Sequence, residues 1–188
     1  MTWTALIPLK GSGERKTRLA GRLNETQRRA LSHELFCHVT SVLNSSAGVS
    51  EVSVLSDVRP ENWDGPLIFD EGRGLNTELQ LLAGGLGSRR LLIIHADLPL
   101  LSTEDIAILL AEAENGCAIA PDRHGSGTNA IALRDAVGFK FSFGPDSFAH
   151  HRAALQGRVR VVRRPGLGLD IDTPDDLDAA IALGIGFH

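Results

Sequence analysis

Arg90-Leu91-Leu92-Ile93-Ile94-His95-Ala96-Asp97-Leu98-Pro99-Leu100-Leu101 contains an apolar run, one aspartate, and a proline two residues further on. The run is short and bounded, which is the signature of a strand buried on both faces of a parallel sheet. The aspartate then stands at the strand's carboxyl end, where open α/β sheets hold their ligands. A carboxylate beside a buried strand is unfavourable unless a positive group pairs with it. A divalent cation carrying a nucleotide's phosphates suits that position.

Working outward, strand and helix signals alternate along most of the 188 residues. Trp3–Leu9 is apolar and reads as the first strand, followed by a polar, basic loop through Arg18. Asn24 with Gln27 has the spacing of a capping box, and Leu31, Leu35, Val39, Val42 and Leu43 continue one helical face. Glu51–Ser56 and Pro66–Phe69 read as strands, and Leu75–Leu86 as a helix ending in glycines. After the opening strand comes a helix capped by Ser102 or Thr103, then a strand over Cys117–Pro121. The rhythm loosens beyond Pro121. Strands are expected at Asn129–Leu133, Lys140–Phe143 and Val159–Val162, and a helix at Ser147–Gln156. Thr173 and Pro174 fit the cap and first position of a final helix. The expected fold is a single α/β domain over residues 1–188: a Rossmann-like, mixed but mostly parallel sheet with helices on both faces and an antiparallel strand in its second half.

Bulk properties narrow the function classes. The chain is 43% hydrophobic with a net charge of −4, so its overall field does not favour nucleic acid or an anionic membrane. No apolar run approaches a membrane span, and no basic region precedes the first apolar stretch as in a signal peptide. Cys37 and Cys117 lack metal-ligand spacing and read as reduced, buried thiols, so a cytoplasmic location is expected.

Three groups of residues could carry chemistry. Lys10, Lys16 and Arg18 lie with glycines in the first strand-to-helix connection, on the same sheet edge as Asp97, and suit a triphosphate. The loop is neither a Walker A motif nor a complete dinucleotide fingerprint. Asp170 and Asp172 form a second acidic element, and alternation turns both to one side of an extended segment. Either could meet Asp97 across a magnesium ion (Mg2+), which takes a few carboxylates plus phosphate oxygens and water. The third group is Gly125-Ser126-Gly127-Thr128-Asn129 with Phe143-Gly144-Pro145-Asp146-Ser147. There the Ser147 hydroxyl and the first amides of a helix could hold a phosphate or carboxylate. His150, His151 and Arg152 read equally well as helpers in acid binding or as a solvated face. His33, His38 and His95 read as structural.

Several segments, in order along nearly the whole chain, resemble one family: Ile7-Pro8-Leu9-Lys10, Lys16-Thr17-Arg18-Leu19, Gly74-Leu75-Asn76, Ala96-Asp97-Leu98-Pro99-Leu100, Gly127-Thr128-Asn129-Ala130, Phe143-Gly144-Pro145-Asp146-Ser147 and Asp170-Ile171-Asp172-Thr173-Pro174. These resemble the guanylyltransferases of coenzyme F-420 biosynthesis. Asp-Leu-Pro and Asp-Thr-Pro recur across sugar and cofactor nucleotidyltransferases, whereas the Gly-Thr-Asn and Phe-Gly-Pro-x-Ser elements narrow the match. The resemblance implies a GT-A-like fold and transfer of GMP from GTP to the phosphate of 2-phospho-L-lactate, phosphoenolpyruvate or 3-phospho-D-glycerate, with loss of pyrophosphate. By that resemblance, Asp97 and one of Asp170 or Asp172 hold magnesium, and Lys16 and Arg18 contact the triphosphate. Asn76 lies near the guanine, and Thr128, Gly144 and Ser147 hold the phosphorylated acid. A homodimer and a downstream transferase of the same pathway are further expectations. A nucleotidyltransferase for another acceptor, of molybdopterin or sugar-phosphate type, and a non-catalytic nucleotide-binding domain stay open at this point.

Overall fold

Trp3, Ala5, Leu6 and Ile7 are almost fully buried, as a strand with helices over both faces requires. They lie in β1 (Trp3–Pro8), near the middle of a seven-stranded sheet in a computed structural model that describes residues 2–9, 16–86, 89–156 and 158–187. The other strands are β2 (Val49–Ser56), β3 (Leu67–Phe69), β4 (Leu91–Ile94), β5 (Cys117–Pro121), β6 (Thr128–Leu133) and β7 (Arg160–Val161), in spatial order β3-β2-β1-β4-β6-β5-β7. All pairings are parallel except those of β6, which runs antiparallel to both β4 and β5. The mixed, mostly parallel sheet expected from the sequence is therefore present, with its antiparallel strand in the second half.

The helices are α1 (Glu25–Ser45), α2 (Leu75–Leu86), α3 (Thr103–Ala113), α4 (Ser147–Ala154), α5 (Pro165–Gly168) and α6 (Pro174–Ala182). One face of the sheet packs Phe36, Val39 and Leu43 of α1 with Ile106 and Leu109 of α3 and Leu167 of α5. The other face receives Leu79 and Ala83 of α2 and Phe148 of α4. A third cluster joins Leu31 and Leu35 of α1 to Ile171, Leu177 and Ala180 around α6. Capping boxes start α1 at Asn24, α3 at Ser102 and α6 at Thr173, each satisfying two helix-end groups.

Three expectations need correction. Lys140–Phe143 is not a strand: its backbone is irregular and is held by side chains described below. The strand expected at Val159–Val162 contracts to Arg160–Val161, and α5 arises where no helix was read. Pro165 opens that helix, but its four residues are too few for an apolar period to show in sequence. Asp176 stands in the first turn of α6. It is nearly buried, accepts from the backbone N–H of Asp172 and of Thr173 and from the Thr173 hydroxyl, and pairs with Arg123 at 2.7 Å. Burial alone would raise its pKa, but these bonds outweigh burial and hold it below the usual carboxylate range.

Asp176→Ala should therefore lower unfolding free energy by about 2 kcal/mol at neutral pH, by loss of the cap and of the Arg123 partner. Because the folded-state pKa is depressed, the deficit should be full above the unfolded carboxylate pKa and shrink as pH falls through the folded one. Urea unfolding at pH 7 and below pH 4 measures both.

Candidate active site

The first βα connection and the carboxyl end of β4 meet at the point where the chain's crossovers diverge. The chain leaves β1 toward β2 on one side, while β4 pairs with β6 on the other. Ligands of open α/β sheets sit at such switch points. A cleft of about 650 Å³ opens there, lined by Pro8, Lys16, Arg18, His95, Asp97 and Asp172 among others. A larger hollow of about 1280 Å³ lies at the opposite edge, beside Thr4, Cys117 and Leu133. It holds neither the acidic cluster nor the strand ends that position one.

Lys16 stands at the centre of the cleft, with left-handed backbone (φ 53°) just before a short 3₁₀ turn over Thr17–Leu19. Its ammonium lies 3.1 Å from Asp97 Oδ2 and 3.8 Å from Asp172 Oδ1, and it donates to the carbonyl of Ile171. Ile171 ties the two acidic elements together, since its N–H donates to the Asp97 carbonyl at 3.1 Å. Its side chain is fully buried, so Asp170 and Asp172, on either side of it, both turn from that core, and Asp172 lines the cleft.

Asn129 completes the cluster. Pro121 pairs with Thr128 while Ala120 pairs with Ala130, so β6 carries one extra residue, Asn129. Regular alternation would send Asn129 to the opposite face from Ala130. The bulge instead re-aims it, and its amide donates to the Leu167 carbonyl and to Asp170 Oδ1, each at 3.0 Å. Burial is the main reason that the Asp170 carboxyl is pushed up to about 6; the Asp97 charge adds to this and the Asn129 bond only partly offsets it. Asn129 was part of a noticed motif, but only the bulge shows what it holds.

Oδ1 of Asp97 is buried and, among the described residues, has no hydrogen-bond partner. That oxygen, with Asp172 and Asp170 close by, is a set of hard oxygen donors with unspent negative charge. The set fits a divalent cation of the magnesium type, which needs only one or two carboxylates when phosphates and water complete its shell. Among the described residues no group of three or more His, Cys, Asp or Glu side chains is placed to hold a metal ion by itself, so such a cation would rest on one or two of these carboxylates with phosphates and water.

The third element gathers beyond β6. Ser147 Oγ donates to Thr128 Oγ1 at 3.2 Å, and the Ser147 N–H donates to the Gly144 carbonyl, so all three expected acid-binding residues adjoin. Gly144 has φ +125° and is exposed, a conformation that favours glycine. Two amides at the start of α4 are not free, however: Ser147 gives its own to Gly144, and Phe148 gives its own to Ser126. Asp122 shapes the preceding loop by accepting from the amides of Ser126 and Gly127 and from the Ser126 hydroxyl. A Cβ on Gly127 would come within 2.8 Å of Asp122 Oδ2, which accounts for glycine there.

The other candidates separate. Arg18 is exposed at the cleft mouth. Asn76 uses both ends of its amide on Phe143, donating to its carbonyl at 2.9 Å and accepting from its N–H at 2.7 Å. It thus pins the segment leading to Gly144. His151 is fully buried, while His150 and Arg152 are exposed. Lys10 lies outside the described residues.

With this arrangement in view, comparison with known proteins is specific. The model of the family described as "Guanylyl transferase CofC like" matches residues 3–188. The chain belongs to this family. It is 40% identical to a phosphoenolpyruvate guanylyltransferase of Sphaerobacter thermophilus over 95% of this chain and 92% of that one. A phosphoenolpyruvate guanylyltransferase of Conexibacter woesei is 36% identical, covering 95% of this chain and 87% of its own. Among solved structures, a nucleotidyl transferase from Methanothermobacter thermautotroptrophicus superposes with a TM-score of 0.64 at 18% identity, over 95% of both chains. The 4-diphosphocytidyl-2C-methyl-D-erythritol synthase from Anaerococcus prevotii gives 0.61 at 14% identity, over 98% of this chain and 96% of its own. These two likenesses concern the fold alone.

Asp170→Asn should stabilise the ligand-free protein by about 1–2 kcal/mol at pH 7, since it removes a buried charge beside two others. A raised carboxyl pKa destabilises the fold above that pKa and not below the unfolded one. The gain should therefore shrink between pH 6 and 4 and vanish below it. Denaturant titrations across that range would show a pH-independent difference if the charge were not responsible.

Proposed function

We propose that this chain is a magnesium-dependent guanylyltransferase that moves GMP from GTP to the phosphate of a three-carbon phospho-acid, releasing pyrophosphate, in coenzyme F-420 biosynthesis. The observation that carries this reading is the Asp97, Asp170 and Asp172 cluster around Lys16, set beside the Thr128–Ser147 hydroxyl pair, in a chain of the CofC-like family. Phosphoenolpyruvate is the acceptor in the names of the two relatives above, and is the first of the three acids to test.

In this reading an oxygen of the acceptor's phosphate forms a bond to the α-phosphorus of GTP. The bond from that phosphorus to the bridging oxygen breaks, and pyrophosphate departs with the electron pair. A phosphate oxygen is already anionic at neutral pH, so no strong base is needed, and positioning with charge neutralisation does the work. Asp97 with Asp172 or Asp170 would hold magnesium, which would polarise the phosphoryl oxygens and offset charge on the leaving group. Lys16, already paired with Asp97, is close enough to exchange those carboxylates for triphosphate oxygens, with Lys10 and Arg18 joining from the same loop. The base is assigned to the cleft wall formed by Asp70, Gly72, Gly74 and Leu75. Asn76, next in sequence, acts in this scheme by holding Phe143. Thr128, Gly144 and Ser147 receive the phospho-acid.

Among the described residues no helix is long and apolar enough to cross a membrane. The wider reading includes cytoplasmic residence, action of residues 1–188 as one nucleotidyltransferase unit, assembly as a homodimer, and hand-over of the product to a downstream transferase.

Pyrophosphate release should require GTP rather than ATP, magnesium, and one of the three acids; release with ATP and a sugar phosphate would redirect the assignment. Asp97→Ala should reduce turnover about 10³-fold, and near-normal activity would refute its metal role. Ser147→Ala should raise KM for the acid about tenfold with little change for GTP. Steady-state kinetics with each substrate varied in turn separates these effects.

A further inference from the structure

His151 lies on α4, one helical turn after Ser147, and the mechanism above does not use it. Its ring is fully buried, packed 4.9 Å from the ring centroid of Phe143 and 5.8 Å from that of Phe139. Both ring nitrogens are engaged. Nε2 accepts from the backbone N–H of Ser142 at 3.0 Å, and Nδ1 lies 3.1 Å from Thr128 Oγ1. A backbone N–H can only donate, so Nε2 carries no proton. The single proton of a neutral imidazole is then on Nδ1, and the ring donates to Thr128. Burial, with the neighbouring charge of His150 adding to it, pushes the His151 pKa down to about 4 and keeps the ring neutral at physiological pH.

The consequence falls on Thr128. Its oxygen accepts from His151 and from the Ser147 hydroxyl, so both lone pairs are occupied. Its own hydroxyl hydrogen is left over, and among the described residues no acceptor takes it. A nearly buried hydroxyl with an unused donor is unfavourable unless a ligand oxygen meets it. The same ring, through Ser142, also anchors the segment that ends at Gly144.

We propose that His151 is a positioning residue for the acceptor: through Thr128 it aims a hydroxyl donor at an anionic oxygen of the phospho-acid, and through Ser142 it sets the Gly144 loop against the same ligand. The assignment rests on the reading of Thr128, Gly144 and Ser147 as the acid pocket. It goes beyond that reading in naming a buried neutral ring as the group that orients the pocket. The ring touches neither substrate, so GTP binding is not affected by its hydrogen bonds.

Two amide variants separate the two nitrogens. His151→Asn retains a donor near the Nδ1 position, whereas His151→Gln retains an acceptor for Ser142 but offers no donor to Thr128. In pyrophosphate-release assays with GTP and phosphoenolpyruvate, 2-phospho-L-lactate or 3-phospho-D-glycerate, His151→Gln should raise KM for the acid about tenfold with KM for GTP unchanged. His151→Asn, which keeps the donor to Thr128 but leaves the Ser142 amide unmet, should raise KM for the acid by a smaller factor, again with KM for GTP unchanged. Adding His151→Gln to Thr128→Val should produce no further loss, because both act on one bond. Histidine-selective nitrogen NMR of the wild-type enzyme should show one neutral histidine with its proton on Nδ1, a readout that needs no acceptor. Equal effects of both variants on GTP and acid, additive losses in the double variant, or an Nε2–H tautomer would each overturn the role of His151 while leaving the acid pocket standing. Failure of wild-type enzyme to turn over any of the three acids would overturn the pocket reading and this role with it.

Discussion

Asp97 and Asp172 converge on the buried Lys16 ammonium at one end of the sheet, with Asp170 beside them, and much of the surrounding structure answers to that fact. Among the described residues, Asp97, Asp170 and Asp172 bring more negative charge than Lys16 neutralises, and one oxygen of Asp97 has no partner. Such a cluster is tolerated in a folded protein only because the rest of the molecule holds it in place. Ile171 fastens the later aspartates to the Asp97 backbone, and Asn129 and Asp176 fix the segment from either side. The excess charge makes the ligand-free site unfavourable and ready for a cation and phosphates, so local stability is sacrificed for binding.

A second layer gathers hydroxyls, glycines and an uncharged imidazole around Thr128 and Ser147, with its loops fastened by side-chain-to-backbone bonds. Asn76 grips both polar groups of Phe143, His151 takes the Ser142 amide, and Asp122 closes the turn before Thr128. Neutral donors suit a substrate whose phosphate must remain nucleophilic, because strong cations there would withdraw charge from the attacking oxygen. In the proposed scheme the cations Lys16 and Arg18 would serve the triphosphate instead, where charge accumulates on the leaving group.

Much of this was legible in the chain. The apolar run before Asp97, the capping boxes at Asn24 and Thr173, and alternation through Asp170-Ile171-Asp172 depend on neighbours within a few residues, so the sequence displays them directly. The misreadings share a cause. Phe141 and Phe143 suggested a strand, but their apolar side chains pack around His151 and Phe139 while long-range side chains take the backbone bonds that a sheet would supply. His151 was read as a helper in acid binding or part of a solvated face, because no local pattern reveals that its two partners lie 9 and 23 residues away.

By itself, then, the sequence determined the alternating α/β order, the helix starts, and the residue types that handle phosphates and a hard cation, because periodicity, caps and strand-end carboxylates are local properties. Only the tertiary structure decided which of those residues meet. Lys16 reaches Asp97 across 81 positions and Ile171 across 155, and one inserted residue in β6 turns Asn129 to Asp170 and Thr128 to His151. Those meetings depend on strand order and register, which are set by burial of the whole sheet rather than by any short stretch of chain.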